Sequence, residues 1–242
     1  MVTLPLRNHD TPVDLLPRTI IGIGLNYREH VAESHSLHGR DEAPDAPAEP
    51  VLFAKTPNVL IGPDAPIVLP RYLRDCGFDE LRTDYEAELA VIIARECRSV
   101  AAETALEYVL GYTCMNDVSQ RNFQRGDVSG WFRGKSLDTF GPIGPVIVPP
   151  QDIADPQSLD IQCRLNGEVV QQSNTRLMIF PVRELIAYIS KHITLQRGDI
   201  ITTGTPAGVG PLSHGDVVEV EIERIGTLRN PVVDAAVSSA HP

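Results

Sequence analysis

The chain has 242 residues and no apolar run near the ~20 that a helix needs to cross a bilayer. Its opening stretch, MVTLPLRNHDTPVDLLPRTI, lacks a continuous apolar segment and a small-residue cleavage site. No signal peptide is therefore expected, and the location read from the sequence is cytoplasmic, with no membrane partner. Cysteine is scarce, and Cys76, Cys97, Cys114 and Cys163 stand far apart without a C-x-x-C pair. That spacing offers neither a zinc cluster nor a thioredoxin-like motif, and predicts free thiols, buried or partly buried, in a reducing compartment. Positive charge is short as well: 21 Lys and Arg face 32 Asp and Glu, a net charge of −11. Such a balance disfavours nucleic acid, whose phosphates need clustered Lys and Arg. Repeats and heptads are missing, so a scaffold role has no motif behind it. What is present is an ordinary 42% of hydrophobic residues, enough for a good-sized core.

Strand signals outnumber helix signals. TIIGIGL (19–25), VLFAK (51–55), PIVLP (66–70), GYTCMND (111–117), DIITTGT and DVVEVEIERIGTL read as strands. LDIQCRLNGEVVQQS (159–173) is two alternating runs around Asn166-Gly167, a strong hairpin signal. PVRELIAYISKHI carries Leu185, Ile186, Ile189 and Ile193 at helical spacing behind Pro181, and AAETALEYVL (101–110) fits one short helix. The strand–helix alternation of a doubly wound parallel sheet is missing. The expected fold is α+β and β-rich, with a few short helices. A small N-terminal segment (1–50) should precede the main domain (51–242). Residues 33–50 and 118–145, poor in apolar period, are candidate functional loops.

The stretch TDYEAELAVII (83–93) sets two glutamates one residue apart before an apolar run. On a strand Glu86 and Glu88 share one face while Tyr85, Ala87 and Leu89 share the other. Adjacent carboxylates repel, so one takes a proton or a cation lies between them, and hard oxygens suit Mg²⁺, Mn²⁺ or Ca²⁺. The run VVEVEIE shows the competing explanation: Glu219, Glu221 and Glu223 alternate with Val218, Val220 and Ile222, as on a half-buried strand with a solvated acidic face. Asp117, ending a strand, would complete a three-carboxylate shell, or would serve as a turn or cap.

His30 and Glu33 fall one helical turn apart, so the carboxylate can orient the imidazole as a base for water, or form a surface pair. His35 and His38 offer a rival, histidine-rich metal site. Gly22-Ile23-Gly24 is no dinucleotide fingerprint, because its third glycine would fall at Tyr27. Lys135, in RGKSLDTFGP, is placed to stabilise an enolate or a carboxylate. Thr203 and Thr205, in ITTGTPAGVG, form a turn able to hold an anionic oxygen.

Six segments in order resemble the fumarylacetoacetate hydrolase family, in its bacterial branch of acylpyruvases, fumarylpyruvate hydrolases and 2-hydroxyhepta-2,4-diene-1,7-dioate isomerases. They are GLNYREH (24–30), DYEAELAVI (84–92), GYTCMNDVSQRNFQ (111–124), RGKSLDTFGPIGP (133–145), NGEVVQQSNTRLMIF (166–180) and GDIITTGTPAGVG (198–210). The resemblance implies a mixed β-roll, a Mg²⁺ or Mn²⁺ site at Glu86, Glu88 and Asp117, and a homodimer. It implies that His30 and Glu33 activate water from a lid, and that Lys135 supplies charge. Arg121, Gln124 and Thr205 would hold a 2-oxo acid. The implied activity is metal-dependent C–C hydrolysis of a 1,3-dicarbonyl 2-oxo acid, an acylpyruvate or fumarylpyruvate-like compound, through an enolate. Isomerisation or decarboxylation of a related acid is the alternative, and a non-catalytic small-acid binder the more remote one. Three departures stand out. Asn122-Phe123 replaces the family's Asp-Leu, so Phe123 should reshape a pocket wall. Residues 71–84 are longer, and Ser34 to Pro50 aligns least.

Overall fold

An apolar run without alternation predicts a strand covered on both faces, and residues 87–93 form that strand at the centre of the main sheet. The structure, a computed structural model, describes residues 1–37, 46–124 and 131–235, the side chains of 35–37 excepted. Strands β1 (Val2–Leu4), β2 (Val13–Leu15) and β3 (Ile20–Gly24) lead into helix α1 (Arg28–Leu37). Then come β4 (Val51–Lys55), β5 (Leu60–Ile61), β6 (Ile67–Leu69), β7 (Thr83–Tyr85), β8 (Ala87–Ile93) and β9 (Val109–Asn116). Next are β10 (Ser119–Gln120), the one-turn helices α2 (Arg121–Gln124) and α3 (Phe132–Lys135), and β11 (Gly141–Val148). The hairpin β12 (Asp160–Leu165) and β13 (Glu168–Asn174) precedes helix α4 (Val182–His192). β14 (Ile200–Thr202), β15 (Gly210–Pro211), β16 (Val217–Ile222) and β17 (Gly226–Asp234) complete the described chain.

Seven strands form one mixed sheet in the order β4-β3-β14-β8-β9-β11-β5, and five form a second, β13-β12-β16-β17-β6. β16 packs against β8 and β9, so the sheets close on one another as the expected mixed β-roll. β3 lies inside the larger sheet between β4 and β14, so this sheet runs across the expected boundary at residue 50. The two faces of β8 feed two cores. Ala87, Leu89, Val91 and Ile93 join the larger, with Tyr112, Cys114, Val218, Val220 and the inner side of α4. Ala90 and Ile92 join the smaller, with Met115, Ile143, Ile200, Leu4 and Leu15. Among the described residues no helix is long and apolar enough to cross a membrane.

Local chemistry explains most of these elements. Asn166 and Gly167 both take positive φ, 54° and 86°, the conformation that a tight two-residue hairpin demands. α4 buries Val182, Leu185, Ile186 and Ile189, while Ile193 falls beyond its end and is exposed. Glu219 and Glu221 lie on the half-exposed side of β16, and Glu221 pairs with Arg164 at 2.6 Å, as the solvated-face reading expects. The helix expected over 101–110 is instead a 3-10 turn at Ala105–Tyr108, and Val109 already pairs with Ile93 in the sheet. A non-local ladder with β8 outcompetes a weak local propensity there. Of the cysteines, Cys97, Cys114 and Cys163 are buried, whereas Cys76 is exposed, against expectation. It ends a 3-10 turn (Arg71–Cys76) within the surface excursion of residues 71–82.

Asn26 links three parts of the site's frame. Its amide donates to the Phe180 and Thr203 carbonyls at 3.1 and 2.8 Å, and accepts from the Phe180 N–H at 2.8 Å. It is fully buried, so Asn26→Ala leaves backbone groups without partners. Urea denaturation should show a loss of about 3 kcal/mol. A loss below about 1 kcal/mol would mean that water replaces the amide.

Candidate active site

The acidic cluster follows from sheet register. Glu86 and Glu88 continue the face of Ala90 and Ile92, so one side of β8 changes from apolar to acidic along its length. β9 runs antiparallel, with Glu88 opposite Met115 and the Asp117 N–H donating to the Glu86 carbonyl at 2.9 Å. Asp117, two residues beyond Met115, therefore projects on the same side. One oxygen from each of Glu86, Glu88 and Asp117 lies within 4.8 Å of the other two, and all three residues are buried. A cation bound at about 2.0–2.6 Å sets its ligand oxygens roughly 3–5 Å apart, so this hard-donor set fits a divalent ion.

Positive groups surround the cluster. Lys135 Nζ donates to Glu86 Oε2 at 2.7 Å and to Asp117 Oδ2 at 2.5 Å. Arg121 Nη2 lies 2.6 Å from Glu86 Oε1, and its Nε donates to Asp84 Oδ2 at 2.8 Å. Glu88 instead accepts from the Thr202 hydroxyl and, at 2.7 Å, from the Gly204 N–H. The glutamates consequently titrate apart. Burial raises the Glu86 carboxyl, but Lys135 and Arg121 outweigh it and hold this group well below the usual range. Burial and the neighbouring charges of Asp117 and Glu86 push Glu88 well above that range. Two side-by-side acids thus settle with one ionised and one favouring its proton, the condition that a bound cation relieves.

His30 and Glu33 lie on α1, and His30 lines the same cavity as Glu86 and Glu88. His30 Nδ1 is 3.0 Å from Glu33 Oε2, and Glu33 Oε1 accepts from the Gly208 N–H at 3.0 Å. Burial raises the Glu33 carboxyl, but hydrogen bonds from His30 and Gly208 bring it below its ordinary value. Glu33 thus fixes the imidazole through Nδ1 and leaves Nε2 for a reactant. A cavity of about 90 Å³ is lined by His30, Glu86, Glu88, Arg121, Gln124, Lys135 and Thr205, with Trp131 and Phe53 among the others.

Seven of the expected site residues therefore line one cavity, and Glu33 is tied to it through His30, although their ties differ from expectation. Asp117 lies in the acidic group just beneath it. Arg121 is bonded to Asp84 and Glu86, and its Nη1 donates to Gln124 at 2.9 Å. Thr205 Oγ1 accepts from Gln171 Nε2 at 2.9 Å. Phe123 does not shape the cavity wall as expected. It packs against Tyr72 and Phe78, with ring centroids 6.5 and 5.7 Å away, so the longer 71–84 segment supplies its cover. His38, most of the lid stretch (38–45) and residues 125–130 lie outside the described residues, as does the His35 side chain.

Several participants carry no motif of their own. Lys55, from β4, is fully buried with Nζ 2.6 Å from Asp117 Oδ1. Gln171 also accepts from the Ala87 N–H at 3.0 Å, tying β13 to the glutamate strand. Asp84 orients both Arg82 and Arg121. For Lys55 one signal existed: a charge ending VLFAK, a strand whose register puts it on the site's face.

Comparison with known proteins agrees with this geometry. The sequence profile described as fumarylacetoacetate (FAA) hydrolase C-terminal matches residues 19–233. The chain is 42% identical over 221 residues to a 2,4-didehydro-3-deoxy-L-rhamnonate hydrolase of a Sphingomonas species, covering 88% of this chain and 72% of that protein. The crystal structure of 2-hydroxyhepta-2,4-diene-1,7-dioate isomerase from Mycobacterium marinum is similar at a TM-score of 0.77 and 40% identity, covering 92% and 77% of the two chains. Maleylpyruvate hydrolase from Sphingobium sp., in complex with manganese(II) and pyruvate, is similar at a TM-score of 0.74 and 34% identity, covering 92% and 72%. These relatives are enzymes, hydrolases and an isomerase. With the profile spanning nearly the whole described fold, and the acids meeting where its strands bring them, this chain belongs to the fumarylacetoacetate hydrolase family.

Proposed function

We propose that this protein is a divalent-metal-dependent hydrolase of 1,3-dicarbonyl 2-oxo acids, of the acylpyruvate or fumarylpyruvate kind, with Mg²⁺ or Mn²⁺ as the ion. The observation that carries the reading is the buried triad Glu86, Glu88 and Asp117 beside a cavity that is also lined by His30, itself oriented by Glu33. The manganese and pyruvate bound by the maleylpyruvate hydrolase support it. When bound by the three acids, a divalent ion supplies a Lewis acid for the 2-oxo acid end of the substrate.

The chain's own groups perform the proton transfers and positioning. Glu33 keeps the His30 Nδ1 occupied, so Nε2 takes a proton from water as its oxygen adds to the distal carbonyl carbon. The C–C bond between that carbon and the pyruvate methylene then breaks. Its electron pair leaves as the pyruvate enolate, and the proton held on Nε2 is returned to the methylene carbon. Lys135, fixed by two carboxylates, places an ammonium beside the developing negative charge. Although burial opposes its charge, Asp117 and Glu86 hold it above the usual lysine range.

Isomerisation or decarboxylation would draw on the same enolate without an attacking water, and the isomerase relative supports that second reading. A coupled assay for pyruvate release from acylpyruvates separates them. Turnover should vanish after EDTA dialysis and return with Mn²⁺ or Mg²⁺. Activity that survives complete metal removal would end the hydrolase reading in this form.

A further inference from the structure

The cavity has two chemistries. Its lining combines the carboxylates, Lys135 and Arg121 with the apolar Leu25, Phe53 and Trp131, and Lys135 Nζ lies 4.7 Å from the centroid of the Phe53 ring. Trp131 is the chain's only tryptophan, and its placement is built by features that C–C hydrolysis does not require. Its backbone sits in the left-handed region at φ 71°, a conformation that bulky residues rarely adopt. It occupies the N-cap of α3 without capping that turn. The indole meets Phe53 edge-on, with centroids 5.8 Å apart.

Both rings lie over glycine. A Cβ on Gly24 would come 2.6 Å from the indole Cζ3, and one on Gly22 would come 2.1 Å from the Phe53 ring. Residues 22 and 24 share one face of β3, and Gly22 pairs directly with Phe53 across the β3–β4 ladder. Gly22-Ile23-Gly24 thus strips a strand face bare so that two aromatic rings can rest on it. This gives the Gly-x-Gly a purpose that phosphate binding does not.

The charges of this lining are committed. Lys135 is held by Glu86 and Asp117, Arg121 by Asp84 and Glu86, and His30 by Glu33. Among the described lining residues no cation remains for a second carboxylate at the far end of a substrate. Burying such a carboxylate against indole carries a desolvation penalty that no uncommitted cation among the described lining residues offsets.

We propose that Trp131, bedded on Gly24 and Phe53, is the specificity-determining wall of this cavity and selects 2-oxo acids with an uncharged alkyl end over those ending in a second carboxylate. The proposal rests on the reading of the cavity as a 2-oxo acid site. It favours alkyl acylpyruvates over fumarylpyruvate within that class.

The test uses 2-oxohexanoate and 2-oxoadipate, acids of equal chain length that end in methyl and carboxylate. With Mn²⁺ present, 2-oxohexanoate should perturb the emission of the single tryptophan and bind at least about tenfold more tightly than 2-oxoadipate. Calorimetry on Trp131→Ala should bring the two affinities within about twofold, while Trp131→Phe, keeping an aromatic wall, should retain most of the preference. In turnover, Trp131→Ala should lower kcat/KM for a butanoylpyruvate relative to fumarylpyruvate, chiefly through KM. Equal binding of both acids to the unaltered protein, or an unchanged ratio in Trp131→Ala, overturns the proposal and leaves the 2-oxo acid reading standing. Binding of neither acid, nor of pyruvate, overturns both.

Discussion

Replacing His30 with alanine should lower the hydrolysis of an acylpyruvate by about 10²–10⁴-fold, the range spanned by a positioned general base. The size of the effect follows from orientation. Glu33 is anchored twice, by the imidazole Nδ1 and by the Gly208 N–H, so the ring keeps one orientation and one nitrogen for water. Decarboxylation of oxaloacetate requires no water activation, so any such activity should fall far less. The fold should persist, because the His30 side chain lines the cavity and belongs to neither apolar core. Progress curves for both substrates, taken on the same Mn²⁺-loaded preparation, decide the matter. Equal losses for the two reactions would mean that His30 positions substrate and does not activate water. Unchanged hydrolysis would remove it from the mechanism.

Asp117→Asn should damage the site and the fold together. This carboxylate meets two ammonium groups, Lys55 at 2.6 Å and Lys135 at 2.5 Å, with side chains that are 0% and 3% exposed. Burial pulls the Lys55 ammonium below the usual lysine range, and Asp117 is the main group opposing that shift. An uncharged amide leaves both lysines without their principal anion. Breaking a buried ion pair from one side costs about 3–5 kcal/mol, which in a protein of this size lowers Tm by on the order of 10 °C. Urea denaturation after EDTA treatment measures it. Adding Lys55→Met to Asp117→Asn should recover part of the loss, since the stranded charge goes with its partner. Affinity for Mn²⁺ should fall at the same time, as one of three oxygen donors is weakened. A stable Asp117→Asn protein with undiminished Mn²⁺ binding would place the ion elsewhere.

The pairing of Glu86 with Glu88 was legible because strand alternation is rigid: whatever the fold, those side chains leave a strand on the same side. The hairpin at Asn166-Gly167 and helix α4 were legible for the same local reason, a conformational demand or a period written into neighbouring residues. Asp117 became a partner only through register, since nothing local tells which strand lies beside Ala87–Ile93. The segment 101–110 shows the limit from the other side, because residues with fair helix propensity were drawn into a ladder with β8.

Asp84, Gln171 and Asn26 were invisible as members of the site, and Lys55 showed only as a charge ending a strand. Each reaches the site across 37 or more residues, and one-dimensional spacing carries no such distances. Residue order alone therefore settled the β-rich class, the acidic face and the family. Register and burial settled how the ammonium groups share the acids, which glutamate favours its proton, and why two glycines lie beneath Phe53 and Trp131. The division is physical: alternation and turn geometry act over a few residues, whereas electrostatics in a buried cluster depends on which strands the whole chain brings side by side.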